Sequence, residues 1–356
     1  MKARELGRQR LMNLHVASSR CVTAAEAVGA LGAMQAQDYQ GALWAIGLRV
    51  PGSKLADVER AVEERTIVRS WPMRGTLHFV AAADLRWLLD LLAARVTKAV
   101  VRRQAQLELD APTLRKVDKL LTRELAGKTL TRDALRDAFT RAKISPDNGR
   151  LYHCLLHFAL EQRICFAVPE GKQPTFALLD EWLPKVVRLS QDEALATLAA
   201  RYFISHGPAT QQDLMRWAML TAAEAKRGIA AAEGIVRLDV EGRRYWTGDA
   251  QVVPSAATRG TFLLPGFDEY ILGYRDRDAI LDAEHKHKIV PGANGVFRPT
   301  IVHGGQVLGT WKADASKKAV KLTPTGFATF TTAHQRAFAS AAKGYAKFLG
   351  KSVAHG

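Results

Sequence analysis

A short polar segment near the N-terminus, Met34-Gln35-Ala36-Gln37-Asp38, separates two apolar stretches of the chain. Two glutamines two positions apart project to opposite sides of a helix but to the same side of an extended turn. Each carboxamide has one acceptor oxygen and two N–H donors, so a pair on one side offers several hydrogen-bonding groups together. From the residues alone we favour a simpler interpretation, a polar turn in which Asp38 is the N-cap of the next helix.

The usual sequence signatures of catalytic and metal sites are missing from the chain. It has no Gly-x-Ser-x-Gly, His-Glu-x-x-His, Gly-x-x-x-x-Gly-Lys or Gly-x-Gly-x-x-Gly motif. His153 and His157 are four residues apart with Cys154 and Cys165 nearby, but Cys154 points away from the helix face of the two histidines. For the two histidines, ordinary packing or contact with phosphate is favoured over a metal site. For residues 285–288, a basic loop is favoured over a set of metal ligands. We therefore expect no metal and no cofactor.

The charge balance favours a polyanionic partner. Among 356 residues, 51 Lys and Arg stand against 35 Asp and Glu, a formal net charge of +16. The three cysteines share no ligand-like spacing, which indicates reduced thiols. No secretory signal and no run of 18 apolar residues is present, so we expect a cytoplasmic protein, associated with the nucleoid when bound to DNA, that does not enter a membrane.

The predicted fold is α+β and mainly helical, with one unit repeated three times. Each unit has helices followed by a strand-turn-strand pair, which is the order of a winged helix. The third copy is the most regular, because Thr210 and Asp213 form a capping box at the start of its second helix. Its other predicted elements are helices at 193–204 and from residue 222, and wing strands at 235–240 and 243–246.

The other two copies are less regular. In the second, helices are predicted at 114–125, 131–139 and 150–162, and wing strands at 164–168 and 175–179. In the first, helix one covers 8–14, a capping box at 23–26 opens helix two, and a β-rich run at 66–80, interrupted by Pro72 and Gly75, forms the wing.

A bridging helix and a C-terminal β-rich domain complete the predicted architecture. The bridging helix starts at Asp84 and aligns Arg95, Lys98 and Arg102 in one stripe, which suits a solvated face and a phosphate-tracking face equally. After Thr258, strands are predicted at 262–264, 296–302 and 306–311, closed by a helix at 325–349. The predicted domains are 1–83, 84–110, 111–190, 191–255 and 256–356.

Six short motifs occur in the order typical of one protein family. They are Gln35-Ala-Gln37, followed by Asp38-Tyr39 and Gly41-Ala-Leu-Trp44, then Arg74-Gly-Thr-Leu-His78, Gly266-Phe-Asp-Glu-Tyr270 and Phe297-Arg-Pro-Thr300. Together with the three winged-helix units they resemble the AlkZ-like winged-helix DNA glycosylases over nearly the whole chain. In the family, the residue between the two polar positions is usually a bulkier apolar one, and here it is Ala36. The related YcaQ branch has an acidic residue at the second polar position, whereas this chain has Gln37 and so resembles the AlkZ branch more.

The resemblance implies that tandem winged helices embrace duplex DNA and that Gln35 and Gln37 are the catalytic pair. The expected activity is that of a monofunctional glycosylase, which hydrolyses the N-glycosidic bond of cationic alkylated purines, N7-alkylguanine and N3-alkyladenine, and leaves an abasic site. Bulky adducts and interstrand crosslinks are further candidates. A cationic base departs without protonation, so carboxamides that hold a water and stabilise an oxocarbenium-like transition state are sufficient.

The predicted DNA-contacting residues are basic side chains near the first wing, before helix two and on the bridging helix. They are Arg20, Arg69, Arg74, His78, Arg95, Lys98 and Arg102. For Asp268 and Glu269, a loop cap or an ion pair is favoured over support of the catalytic pair.

Two other classes of protein stay open from the sequence. One is a non-catalytic winged-helix DNA-binding protein or transcription regulator; the other is an RNA-binding or structural chromatin protein. Three modules in one chain without dimerisation heptads favour a monomer that binds duplex DNA independently of its sequence.

Overall fold

The computed structural model describes residues 3–186, 188–249 and 256–354, so the predicted domain boundary at 255 lies outside the described residues. The described helices are α1 Ala3–Asn13, α2 Ala24–Leu31, α3 Tyr39–Leu48, α4 Leu55–Glu63, α5 Leu85–Gln106, α6 Ala111–Leu125, α7 Arg132–Arg141, α8 Arg150–Leu160, α9 Leu179–Trp182, α10 Gln191–His206, α11 Gln211–Ala218, α12 Ala222–Ala231, α13 Glu269–Leu272, α14 Lys286–Ile289 and α15 Thr332–Phe348. The described strands are β1 Met34–Gln35, β2 Ile67–Met73, β3 Thr76–Ala81, β4 Leu130–Thr131, β5 Ile164–Phe166, β6 Thr175–Leu178, β7 Ile235–Val240, β8 Arg243–Gly248, β9 Thr261–Leu264, β10 Thr300–His303, β11 Gln306–Ala315, β12 Ala319–Gly326 and β13 Ser352–Val353.

The chain forms two compact units, and both mix helices with short sheets. The first unit contains Met1–Arg60 and Leu195–Gly356, and the second contains Ala61–Ala194. A mixed α+β fold, with more helix than strand, agrees with the sequence-based prediction. The division into five domains stays a prediction.

In the first unit, α10, α11, α12 and the β7–β8 hairpin follow one another in the predicted order. The Thr210 side chain accepts the Asp213 N–H and the Asp213 carboxylate accepts the Thr210 N–H, which confirms the capping box at the start of α11. The two strands of the hairpin pair in antiparallel fashion from Ile235 to Gly248, around a turn in which Glu241 and Gly242 have positive φ.

The C-terminal part of the first unit is a five-stranded sheet, with strand order β13-β12-β11-β10-β9, that packs against α15. The predicted helix at 325–349 is wrong at its start, because β12 runs to Gly326 and α15 begins only after the N-cap Thr331. Thr323-Pro324-Thr325 explains the difference, since β-branched residues favour a strand and proline is disfavoured inside a helix. The predicted strand at 296–302 also begins later, at Thr300.

In the second unit, the long helix α5 packs against α8 and against the β2–β3 hairpin. Arg74 and Gly75 form the hairpin turn with φ of 56° and 67°, and Met73 pairs with Thr76 across it. Two consecutive positive φ values are typical of a type I′ turn, which suits the twist of a hairpin. Pro72 lies where the strand register shifts between Ser70 and Met73, so the predicted interruptions at Pro72 and Gly75 are confirmed.

Candidate active site

The Gln-Ala-Gln segment is extended rather than helical. Met34 and Gln35 form β1, and Asp38 has extended dihedral angles, φ −92° and ψ 106°. Met34 and Ala36 are 1% and 0% exposed, whereas Gln35 is half-buried and Gln37 is exposed. Because side chains alternate along an extended chain, this pattern indicates that Gln35 and Gln37 project to one side and Ala36 to the other.

Two helix ends hold the segment in place. Helix α2 ends at Gly32, whose φ of 77° is easily adopted only by glycine. Helix α3 begins after Asp38, whose carboxylate accepts the Gly41 N–H at 3.2 Å, as predicted for an N-cap. A Cβ at Gly41 would lie 2.5 Å from Asp38 Oδ2, so glycine leaves the room that this cap needs.

The turn at 266–270 carries two acids into the interior of the first unit. A Cβ at Gly266 would lie 2.5 Å from the Phe297 carbonyl oxygen, and Phe267 has a left-handed φ of 66°. After this tight turn, Asp268 and Glu269 are only 2% and 1% exposed. Buried charges need partners, and the two acids have different ones.

Asp268 binds the arginine at the end of α3. The Arg49 guanidinium donates two hydrogen bonds to the Asp268 carboxylate, at 2.9 and 3.0 Å, and both side chains are fully buried. Arg49 Nε also donates to the Leu14 carbonyl at 2.8 Å, and Asp268 caps α13 through the Tyr270 N–H at 2.9 Å. Asp268 is therefore both an ion-pair partner and a cap, which are the roles favoured from the sequence.

Glu269 binds the Gln-Ala-Gln segment itself. Its Oε1 accepts the main-chain N–H of Gln35 at 3.2 Å, and its Oε2 accepts the indole N–H of Trp217 at 2.9 Å. His206 Nε2 lies 3.4 Å from the same Oε2. Neither Trp217 nor His206 was predicted from the sequence, because they lie 52 and 63 residues before Glu269 and on different elements. The sequence signal that points to this site is the pair of adjacent acids, Asp268 and Glu269, in an apolar stretch.

The predicted basic residues near the β2–β3 turn are packed within the second unit. His78 is fully buried, with Nδ1 2.8 Å from the Thr76 carbonyl and Nε2 2.9 Å from Arg74 Nη2. The ring therefore donates from Nδ1 and accepts from Arg74, so it orients Arg74 rather than presenting itself to solvent. The half-buried Arg69 places its guanidinium 5.0 Å from the Phe166 ring centroid.

The remaining predicted DNA-contacting residues are more accessible. Arg20 is exposed in the first unit, and Lys98 and Arg102 are exposed on α5 of the second. Arg95 is half-buried and donates to the Leu91 carbonyl of its own helix. Their contacts with DNA stay predictions.

The histidines considered for a metal site have other neighbours. His157 Nε2 lies 3.3 Å from Glu161, and Cys154 is fully buried, which raises the pKa of its thiol to about 12. In the described part of the chain, three or more His, Cys, Asp or Glu side chains are nowhere grouped as a metal would require. The described helices also include none with both the length and the hydropathy to cross a membrane.

Comparison with known proteins assigns the family. Residues 28–348 match the model of the family described as DNA glycosylase AlkZ-like. The chain belongs to this family. It is therefore an enzyme that acts on N-glycosyl bonds in DNA, and the resemblance seen in the motifs is confirmed. The glycosylase prediction is thus favoured over a non-catalytic regulator.

Two comparisons with single AlkZ-like proteins agree with this assignment. The chain is 29% identical over 317 residues to an interstrand DNA cross-link repair glycosylase of Streptomyces sahachiroi. The aligned region covers 82% of each of the two chains. The solved structure of the DNA glycosylase AlkZ of the same organism is similar with a TM-score of 0.78 at 23% identity, covering 99% of both chains. The structural likeness shows a shared fold.

Proposed function

We propose that this AlkZ-like protein is a monomeric, monofunctional DNA glycosylase that removes cationic alkylated purines from duplex DNA through Gln35 and Gln37. The observation that carries the proposal is the alternation of burial along 34–37, which favours two carboxamides on one side of an extended segment. Glutamines at this spacing on a helix would face apart.

In the proposed reaction the substrate supplies what the glutamines lack. Alkylation at N7 or N3 leaves the purine positively charged, so the N-glycosidic bond breaks with its electron pair moving to the base, which becomes neutral. A water molecule held by the carboxamide oxygens adds to C1′ of the oxocarbenium-like sugar and loses a proton to solvent. Because the amides are neutral, undamaged bases and neutral lesions should be poor substrates.

For DNA binding, we propose three winged-helix modules. The order of α10, α11, α12 and the β7–β8 hairpin supports such a module in the third copy, and the α6–α8 helices followed by β5 and β6 support one in the second. The exposed Arg20, Lys98 and Arg102 are suitable phosphate contacts.

Interstrand crosslinks are a second candidate substrate. The Streptomyces sahachiroi relative is named for their repair and is similar to this chain over 82% of its length. In addition, Gln37 is exposed, so its carboxamide is accessible to a large adduct.

The double substitution Gln35→Ala with Gln37→Ala tests the catalytic assignment. We expect base release from an N7-methylguanine duplex to fall by at least about 100-fold, which is the loss typical of removing one hydrogen-bonding group that stabilises the transition state, while DNA affinity changes little. Single-turnover reactions followed by alkaline cleavage at abasic sites measure the rate.

The matched control is Gln40→Ala, an exposed glutamine on α3 that lies outside the motif. Its rate should equal that of the wild type. Equal rates for the double variant and the wild type would contradict the assignment, and rapid release of uracil would contradict the preference for cationic bases.

A further inference from the structure

Glu269 connects the Gln-Ala-Gln segment to two buried aromatic residues of the first unit. Three donors converge on its carboxylate, namely the Gln35 main-chain N–H, the Trp217 indole N–H and His206 Nε2. Glu269, Trp217 and His206 are each at most 1% exposed, so Glu269 cannot reach a substrate itself. We propose that Glu269 is a positioning residue that holds Gln35 for catalysis, an inference that rests on the proposed function of Gln35.

His206 is held on both sides of its ring. Its Nδ1 lies 2.8 Å from Ser205 Oγ, and that hydroxyl also lies 2.6 Å from the Arg201 carbonyl. The other ring nitrogen, Nε2, faces Glu269 Oε2 at 3.4 Å, where a carboxylate oxygen can only accept. The Tyr202 ring stacks on the imidazole at 4.6 Å and 14°. These contacts fix the orientation of the His206 ring toward Glu269.

The space around His206 leaves this arrangement little freedom. A Cβ at Gly273 would lie 2.5 Å from His206 Cδ2, and the Tyr274 hydroxyl donates to the His206 carbonyl at 2.8 Å. The neighbouring acid on the turn, Asp268, is already bound to Arg49. The Glu269 carboxylate is therefore held by Trp217 and His206. Through this carboxylate, the Gln35 backbone is fixed relative to those two side chains.

Only a carboxylate accepts hydrogen bonds from both directions. In Glu269→Gln, one atom is a carbonyl oxygen and the other an NH₂ group, so a donor faces either the Gln35 N–H or the Trp217 N–H. Trp217→Phe removes the indole donor and leaves the Glu269 contact to Gln35 intact. In the double variant, the carboxamide oxygen at position 269 can accept from Gln35 while the NH₂ group donates to His206 Nε2 in the tautomer whose proton is on Nδ1. We therefore expect Trp217→Phe to rescue Glu269→Gln.

The test compares Glu269→Gln in the wild-type and Trp217→Phe backgrounds. We expect it to slow single-turnover base release at least about tenfold in the wild-type background and less than about threefold in the Trp217→Phe background, because displacement by about 1 Å can reduce a rate by about 100-fold. The dissociation constant for the duplex should change less than about twofold, since only positioning is lost.

Hydrogen exchange at the Gln35 amide, measured by NMR on the full chain without DNA, provides a readout independent of activity. Exchange should be faster in Glu269→Gln and return toward the value of the Trp217→Phe parent in the double variant. Equal slowing of base release in both backgrounds, or unchanged Gln35 exchange in Glu269→Gln, would overturn the proposal.

If Glu269→Gln alone does not fold, a folded and active double variant supports the proposal and an inactive or unfolded one overturns it. A wild type that releases no base refutes the proposed function, whereas the exchange result still decides the role of Glu269.

Discussion

At the scale of single residues, two adjacent acids have different tasks because their partners differ. Asp268 neutralises the buried Arg49 and caps α13, whereas Glu269 accepts hydrogen bonds from Gln35 and Trp217. Removing one member of a buried pair leaves an uncompensated charge, which is why such groups tolerate little change. Proximity in the sequence does not by itself predict shared function.

The thiols of α8 and β5 should be unreactive in the folded protein. Burial raises the pKa of the Cys154 thiol to about 12 and raises the pKa of the Cys165 thiol further, so at about pH 8 both stay protonated, and the thiolate is the reactive form. Iodoacetamide at this pH followed by mass spectrometry should find both unmodified in the native protein. The urea-denatured protein, in which the three cysteines are accessible, is the control. Rapid native labelling of either thiol would contradict their burial.

At the scale of elements, α3 is held between the candidate site and the C-terminal helix. Its start is the Asp38 cap, and the Trp44 indole donates to the Leu263 carbonyl at 2.7 Å. Trp44 also packs on Phe348 of α15, with ring centroids 5.1 Å apart. A Cβ added at Gly47 would overlap the Phe348 ring, so glycine allows the two helices to approach each other.

Two glycine-to-alanine substitutions should have opposite effects on stability. Gly47→Ala should destabilise the protein by about 1–3 kcal/mol or more, because the new methyl group overlaps buried Phe348. Gly344→Ala, on α15 with nothing within 4 Å of the added Cβ, should stabilise it by up to about 1 kcal/mol through helix propensity. Urea unfolding measures both, and a shift in the same direction for the two would contradict the packing of α3 on α15.

At the scale of the whole molecule, the net charge of +16 should dominate duplex affinity. The logarithm of the association constant should fall linearly with the logarithm of salt concentration. Lys98→Ala with Arg102→Ala should reduce that slope by about 2, since each phosphate that a basic side chain neutralises adds roughly 0.9. Arg123→Ala, an exposed arginine paired with Glu124 at 2.8 Å, is the control and should leave the slope unchanged. An unchanged slope in the double variant would remove Lys98 and Arg102 from the DNA interface.

Local sequence determined much of the secondary structure. The caps at Asp38 and Thr210 and the interruption of the β-rich run at Gly75 agree with the sequence-based predictions, because each depends on residues within about four positions of it. The end of strand β12 was mistaken for the start of a helix, because strand formation there depends on pairing with β11, which residues 319–326 do not reveal alone.

The sequence by itself also determined the family and the Gln-Ala-Gln motif, because the motif residues lie next to one another. Only the tertiary structure decided which residues hold that motif. Arg49 reaches Asp268 across 219 residues, and Gln35 reaches Glu269 across 234. Hydrogen bonds of this kind are made by chain segments that folding brings together, and no local spacing in the sequence encodes them.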